Sequence, residues 1–461
     1  MKYNSKFLFI GLSLFCASCK RDDIRDILII SNINIVDVKT GEIRCSENIW
    51  IEDDKILKII PHRFDNQNNY TKIDAKDKYV IPGLWDMHAH IVDYDWVPKL
   101  YTSLGITGIR SMHGGSLIDS VVAKRKDGFF RGFEFLYSGP IVDGPGESWS
   151  GIDIAPNPEE GRKIVREQYE RGYDFLKVYD KLDLATYMAI ADECNNLHFP
   201  FAGHVPMSIT TEQAIAAGQK SIEHTLGLEH LSSDPNCFNW NSTDSIIPSR
   251  GEMISKFLKL YDPSLFPKFL TITTSHDTWY CPTMVSNKTY AYKNDSILKN
   301  DERLKYIPKK EQEYWFGKNS EMPSYMEPQR EYEQAEITYY NLMLNSLKPM
   351  LNHGARFLAG TDTSNPNIYP GFSLHEELQI FVKAGFTELE ALQTATINPA
   401  IYTGREEELG SIEQGKIADL LILDKNPLEN IKNTLSIYGL VRRGEYLNRD
   451  ALNKLLDYNK N

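Results

Sequence analysis

The 461-residue chain reads as an α/β protein, a (β/α)8 TIM barrel with a small β-sandwich domain formed from both chain ends. Three observations predict this. Strand-like apolar runs alternate with helix-like stretches through the middle of the chain. Short β-rich runs crowd both ends, where neither set is large enough for a core of its own. Residues of metal-ligating type close the middle strands, which is where the working residues of such barrels gather.

At the start, Lys2 and Lys6 precede the apolar run Phe7 to Phe15, too short to span a bilayer and suited to a signal-peptide core. It ends in Cys16-Ala17-Ser18-Cys19, which resembles a bacterial lipoprotein signal. On that reading residues 1–18 are the signal, Cys19 is lipidated, and 19–26 form a polar tether opening with Lys20-Arg21-Asp22-Asp23. Cys16 stands where such signals usually carry an aliphatic residue, so plain secretion with cleavage nearby stays open. The expectation is an exported protein, held on the membrane through its N-terminal lipid, periplasmic or on the cell surface.

From Ile27 to Ile60 come four short runs, Ile27 to Ile30, Ile33 to Val38, Asn48 to Glu52 and Lys55 to Ile60, with Gly41 and Asp53-Asp54 where turns belong. Ile417 to Leu423 and Ser436 to Arg443 supply the complement, giving a composite domain of 27–80 and 405–449. Residues 81–404 form the barrel. Its strands are expected to end near His90, Met112, Ser138, Tyr179, His204, His224, Met284 and Asp362, with helices such as Pro158 to Gly172, Leu184 to Leu197 and Thr211 to Gly218. The interval from His224 to Asp362 is too long for two ordinary repeats. Its Lys-, Glu- and Tyr-rich part, about 287–336, reads as a partly helical insertion on the barrel mouth.

Composition narrows the function. Hydrophobic content of 41% and charged content of 25% suit a globular domain, and a net charge of -12 without a basic stripe excludes general nucleic-acid affinity. No Gly-rich phosphate loop is present. Beyond the signal region, Cys45, Cys194, Cys237 and Cys281 are widely spaced without a CxxC, which favours incidental thiols over a disulfide framework or thiolate zinc site.

His88-Ala89-His90 closes an apolar run that follows the Pro82-Gly83 turn. Residues two apart on a strand face the same side, so the two imidazoles can grip one metal ion. His204, His224 and Asp362 end later strands in the same way, and Lys177 lies within Phe175-Leu176-Lys177-Val178-Tyr179. Alternation turns Phe175, Lys177 and Tyr179 inward and Leu176 and Val178 toward the helices. A buried ammonium tends to lose its proton, and the neutral amine can take up carbon dioxide as a carbamate. The alternative is an unmodified lysine paired with Asp362 or with substrate. Of the remaining histidines, His62, His198, His230, His276 and His353 read as solvated or structural, and His375 as packing the start of the helix after strand eight.

Over nearly its whole mature length the chain resembles the amidohydrolase superfamily. The motifs that carry this are Pro82-Gly83-Leu84-Trp85-Asp86-Met87-His88-Ala89-His90, Ala359-Gly360-Thr361-Asp362 and Gly410 to Leu420. Leu374-His375-Glu376-Glu377-Leu378, Ala384-Gly385-Phe386 and Ala395 to Ala400 are similar to the branch of imidazolonepropionases and prolidase-like dipeptidases.

The resemblance implies two divalent metal ions, zinc by donor type. His88, His90 and Asp362 would hold the buried ion, His204 and His224 the second, and a carbon dioxide-derived carbamate on Lys177 would bridge them. It also implies that Asp362 is the proton shuttle and that the substrate is a small amide or peptide. Tyr179 and His113 are candidate substrate contacts. Two loops depart from the family pattern. Ser111-Met112-His113-Gly114-Gly115 lacks an acidic residue and Asp143 to Trp149 lacks a histidine, so no relative's substrate transfers. Competing readings are a mononuclear imidazolonepropionase- or deaminase-like hydrolase with a plain lysine, and a non-catalytic surface lipoprotein using the barrel as a scaffold. Assembly as a homo-oligomer is left open.

Overall fold

The computed structural model describes residues 27–64, 70–93, 95–115, 133–146, 149–239, 247–293, 298, 300–316 and 329–459. The expected signal, Cys19 and the tether lie outside them, as does part of the expected insertion. Among the described residues no helix is long and apolar enough to cross a membrane.

Both chain ends build one hydrogen-bonded sheet of eight strands. Its order runs Glu445–Asn448, Ile437–Arg442, Leu420–Leu423, Tyr79–Pro82, Ile27–Val36, Ile43–Glu52, Lys55–Pro61, with Thr71–Asp74 paired to Ile27–Val36. The two ends meet where Leu420–Leu423 runs antiparallel to Tyr79–Pro82, Leu421 opposite Ile81. Alternation buries Ile33, Ile35, Ile49, Ile51, Val80, Leu420 and Ile422 in a core separate from the main one. Ile81 and Pro82 thus pair within this sheet, and Gly83 separates them from the next strand. The first two expected runs are one strand, Ile27–Val36, with register shifts around Asn32, whose φ is 61°.

The middle of the chain is α/β with parallel, curled sheets. Leu84–Ala89, Ile106–Ser111 and Glu134–Tyr137 form one three-stranded sheet. Leu176–Val178, Phe201–Gly203, Ser221–Glu223, Trp279–Cys281 and Arg356–Phe357 follow in sequence order in a second, with Val142–Asp143 and Asp153–Ile154 at its edge. Parallel bridges join the two sheets at both ends, Ser138 to Phe175 and Ala89 to Thr363. Helices Pro158–Glu170, Leu184–Asn196 and Thr211–Ala216 fall where the sequence places them, each opened by a side-chain cap from Asn157, Asp183 or Thr210. The main core packs Leu176, Val178, Phe201 and Ile222 between sheet and helices.

Strand eight is shorter than expected, Arg356–Phe357 rather than a run to Asp362. Beyond it the chain bends toward the first strand, where Met87 N–H donates to the Ala359 carbonyl (2.8 Å) and Thr361 N–H to the His88 carbonyl (3.1 Å). Gly360 permits this approach. A Cβ there would lie 2.4 Å from Cys281 Sγ and 2.7 Å from His88 Cβ. Of the insertion, helix Met284–Ala291, the 3-10 turn Glu302–Tyr306 and helix Lys309–Phe316 are described. Trp315 ties the last of these to the strand-eight loop by donating to the Ser364 carbonyl (3.1 Å).

Candidate metal centre

The four expected histidine ligands stand at or just past the ends of parallel strands: His88 within Leu84–Ala89 and His90 after it, His204 after Phe201–Gly203, His224 after Ser221–Glu223. They converge on Asp362. Its Oδ1 lies 3.1 Å from His90 Nε2 and 3.4 Å from His88 Nε2, and its Oδ2 lies 4.0 Å from His224 Nδ1. The His88 and His224 ring centres are 4.5 Å apart, and His204 follows at 4.8 Å from His224. His224 (φ 65°), Asp362 (φ 67°) and Thr283 (φ 43°) all occupy the left-handed region, a concentration of backbone strain typical of working sites.

The electrostatics favour metal ligation. Burial pushes the His88 and His224 imidazoles well below their ordinary pKa and lowers that of His90, which keeps all three neutral. Burial opposes the charge on Asp362, and the hydrogen bond from His90 favours it. Nδ1 is already engaged on three histidines: His88 by Glu223 Oε2 (2.7 Å), His204 by Asp180 Oδ1 (2.7 Å) and His224 by Thr283 Oγ1 (2.7 Å). This leaves Nε2 as the available donor, the pattern of metal-bound histidine. His88 Nε2 is buried without a hydrogen-bond partner. Donor atoms of His88, His224 and Asp362 lie within 4.8 Å of one another. Orphaned donor, neutral imidazoles and anionic carboxylate together fit a divalent ion.

Lys177 is buried at the same centre, and desolvation lowers its pKa to about 8. Alternation holds here, since Leu176 and Val178 join the outer core while Phe175 packs inward against Met112 and Ala202. Tyr179 stacks on His204 at 4.1 Å, and its hydroxyl accepts from the Trp149 indole at 2.7 Å. His113 also reaches the site, 6.4 Å from His90 between ring centres. All three line a cavity of about 380 Å³ that opens from His90, His204, His224 and Asp362 toward an apolar wall of Phe238, Met253, Ile254 and Tyr339.

The sequence matches the model of the amidohydrolase family from residue 79 to residue 447. The chain belongs to this family. Among curated proteins this amidohydrolase is 36% identical to the ochratoxinase of Aspergillus niger over 91 residues, 19% of the chain and 18% of the relative. It is 39% identical to the imidazolonepropionase of Sphingopyxis alaskensis over 90 residues, 19% of the chain and 22% of that relative. The matched region thus spans about a fifth of each relative's length. In fold the amidohydrolase is similar to a bottromycin amidohydrolase, with TM-score 0.73 and 20% identity over 94% of this chain and 89% of the other. It is also similar to a Xaa-Pro dipeptidase solved with methionine in its active site, with TM-score 0.63 and 19% identity over 92% and 100%.

Several residues of the amidohydrolase site escaped sequence reading. Glu223, fully buried, accepts from His88 Nδ1, from Arg110 NH2 (2.8 and 2.9 Å) and from Ser221 Oγ (2.5 Å). Arg110 also donates to Ser221 Oγ (2.7 Å), the Tyr402 hydroxyl (2.8 Å) and the Met87 carbonyl (2.5 Å). Ser286 donates to Asp362 Oδ2 (3.0 Å), and Thr283 stands behind His224. The available signal was a charged residue inside an apolar strand, Arg110 in Ile106–Ser111 and Glu223 in Ser221–Glu223. His375 sits where expected, between Thr434 Oγ1 (2.8 Å) and the Leu104 carbonyl (2.9 Å). Cys194, Cys237 and Cys281 are buried and Cys45 exposed, all as free thiols.

Proposed function

We propose that this amidohydrolase is an exported, metal-dependent enzyme that cleaves an amide or peptide-like C–N bond in a dipeptide, an N-acyl amino acid or a cyclic amide. One observation carries the reading: the buried His88 and the partly buried His90 and His224 converge on Asp362 at the head of a cavity large enough for such substrates. The family's neighbours, hydrolases of C–N bonds, support the reaction class. The two curled parallel sheets, from Leu84 onward, close into the eight-stranded TIM barrel, a reading supported by the bridges at Ser138 and Ala89. The signal-like segment through Cys19 supports a lipid anchor outside the cytoplasm.

His88, His90 and Asp362 would hold one divalent ion and His204 and His224 a second, with zinc suited to these nitrogen and oxygen donors. Bound there, the metal supplies an activated water and polarises the scissile carbonyl. The neutral Lys177 amine adds to carbon dioxide, forming an N–C bond and releasing one proton, and the resulting carbamate joins the two ligand groups. Asp362 accepts a proton at its carboxylate and returns it to the departing nitrogen, while Ser286 fixes the carboxylate's orientation. Tyr179, steadied by Trp149, and His113 position the substrate.

A second reading has its own support. His88, His224 and Asp362 form one compact donor group, and His204 is not part of it. One ion on that group with an unmodified lysine would suit imidazolone- or deaminase-type chemistry. Metal analysis of protein purified without chelator, mass spectrometry at Lys177 and a screen of dipeptides, N-acyl amino acids and cyclic amides separate the two. Two metals, a carbamate and amide cleavage support the first. A single metal on an unmodified lysine supports the second, and no metal with no hydrolysis rejects both.

A further inference from the structure

We infer that Arg250 is a specificity-determining residue, which reads a carboxylate that the substrate carries beside its scissile amide. The inference rests on the amide-hydrolase reading and narrows its substrate class.

Arg250 opens helix Arg250–Leu260, in the long connection between Ser221–Glu223 and Trp279–Cys281, and it lines the cavity. Among the described lining residues its only fellow lysine or arginine is Lys177, which lies at the metal cluster. The guanidinium is held from behind. Its Nε donates to both oxygens of Glu336 at 3.2 Å, and NH2 donates to Asn287 Oδ1 at 3.2 Å. The Tyr290 ring lies 5.1 Å away. NH1 makes no hydrogen bond to a described residue. Glu336 is almost wholly buried, with 3% of its side chain exposed against 25% for Arg250, so the carboxylate orients the fork from the protein side.

The position suits an anion near the reacting bond. Ser286, Asn287 and Tyr290 share a face of helix Met284–Ala291, because residues four apart stack one above the other. Ser286 touches Asp362, whereas Asn287 and Tyr290 touch Arg250. The residue that touches Asp362 and the residue that hydrogen-bonds Arg250 are thus neighbours in the chain, and Asp362 and Arg250 both line the same cavity. A carboxylate one carbon removed from an amide nitrogen suits an anion reader set on the same cavity as the proton shuttle. Phe238, Met253, Ile254 and Tyr339 line the adjoining wall and would receive an apolar side chain on that same carbon. Glu229 lines the cavity too, but its Oε1 is taken by the Thr211 N–H (2.7 Å) and offers an anion nothing.

The test compares N-acetyl-L-leucine with its decarboxylated analogue N-acetyl-isopentylamine as substrates of the metal-loaded enzyme. Binding of the matching N-tosyl compounds, whose sulfonamides resist cleavage, is measured by calorimetry. A charge-assisted contact predicts that the acid is favoured about 10–100-fold in both kcat/KM and Kd. Arg250→Gln should abolish the preference by raising KM for the acid far more than for the neutral analogue, and Arg250→Lys should restore part of it. Equal binding of the two tosyl compounds, or equal losses for acid and neutral substrate in Arg250→Gln, overturns the inference. Arg250-dependent binding of tosyl-leucine, with no hydrolysis of any dipeptide, N-acyl amino acid or cyclic amide in the screen, upholds the anion contact and sinks the amide-hydrolase reading instead.

Discussion

Replacing Glu223 by Gln keeps the side chain's shape but removes the charge that faces Arg110. Both residues are fully buried, and their shortest contact is 2.8 Å. The change leaves the guanidinium uncompensated in the interior, which costs about 3–5 kcal/mol. Arg110→Met leaves the reverse charge alone and should cost about the same. Removing both, as Arg110→Met with Glu223→Gln, should cost well under the sum, because neither charge is then stranded. Urea unfolding of the four proteins measures this cycle. Glu223 also fixes the His88 tautomer through the 2.7 Å contact to Nδ1, so Glu223→Gln should weaken metal binding about 10–100-fold in a chelator competition. Additive costs in the cycle, or singles below about 1 kcal/mol, would refute the claim that this pair works as a buried unit behind His88.

Lys177→Ala should lose one metal equivalent and turnover, with short carboxylates such as formate restoring part of both; unchanged metal content by mass spectrometry under native conditions would remove the carbamate. Burial holds His375 neutral, with its pKa lowered from 6.5 to about 4. The unfolded chain therefore binds the extra proton between these values, so this part of the stability is complete above pH 6.5 and is lost as pH falls toward 4, about 3 kcal/mol in all. Denaturation at pH 7 and pH 4.5 should show a smaller pH dependence in His375→Gln than in wild type, and equal dependence in both would discount the residue. Cys19→Ser should move the protein from the membrane to the soluble fraction of an expressing bacterium, and full-length protein in the cytoplasm for both forms would end the export proposal.

The parts legible in the sequence are those governed by local pattern. Alternation announced the inward face of Lys177 and Tyr179, and the helix-like stretches between strands announced Pro158–Glu170 and Leu184–Asn196 within a few residues. Asp362 was legible as a member of the histidine cluster although its strand was not. The chain around Gly360 pairs irregularly with the first strand, and such pairing leaves no period to read. Hidden altogether were the residues that act through others. Glu223 serves His88 across 135 positions, and Asp180 serves His204 across 24. Contacts set by strand order in three dimensions leave only a faint trace, a lone charge in an apolar run. The sequence placed an insertion of about 287–336 on the barrel mouth, and Asn287, Tyr290 and Tyr314 from it line the cavity, but Phe238, Arg250, Met253 and Ile254 come from the preceding connection. Nothing in that segment's periodicity points to the mouth.

The central claim is that Asp362 moves the proton at a metal centre built around it. Its most direct test is kcat of metal-loaded Asp362→Asn on the best amide substrate from the screen. The account predicts a folded, metal-retaining protein whose kcat falls by about 10²–10⁴-fold. Turnover within a few-fold of wild type would contradict it.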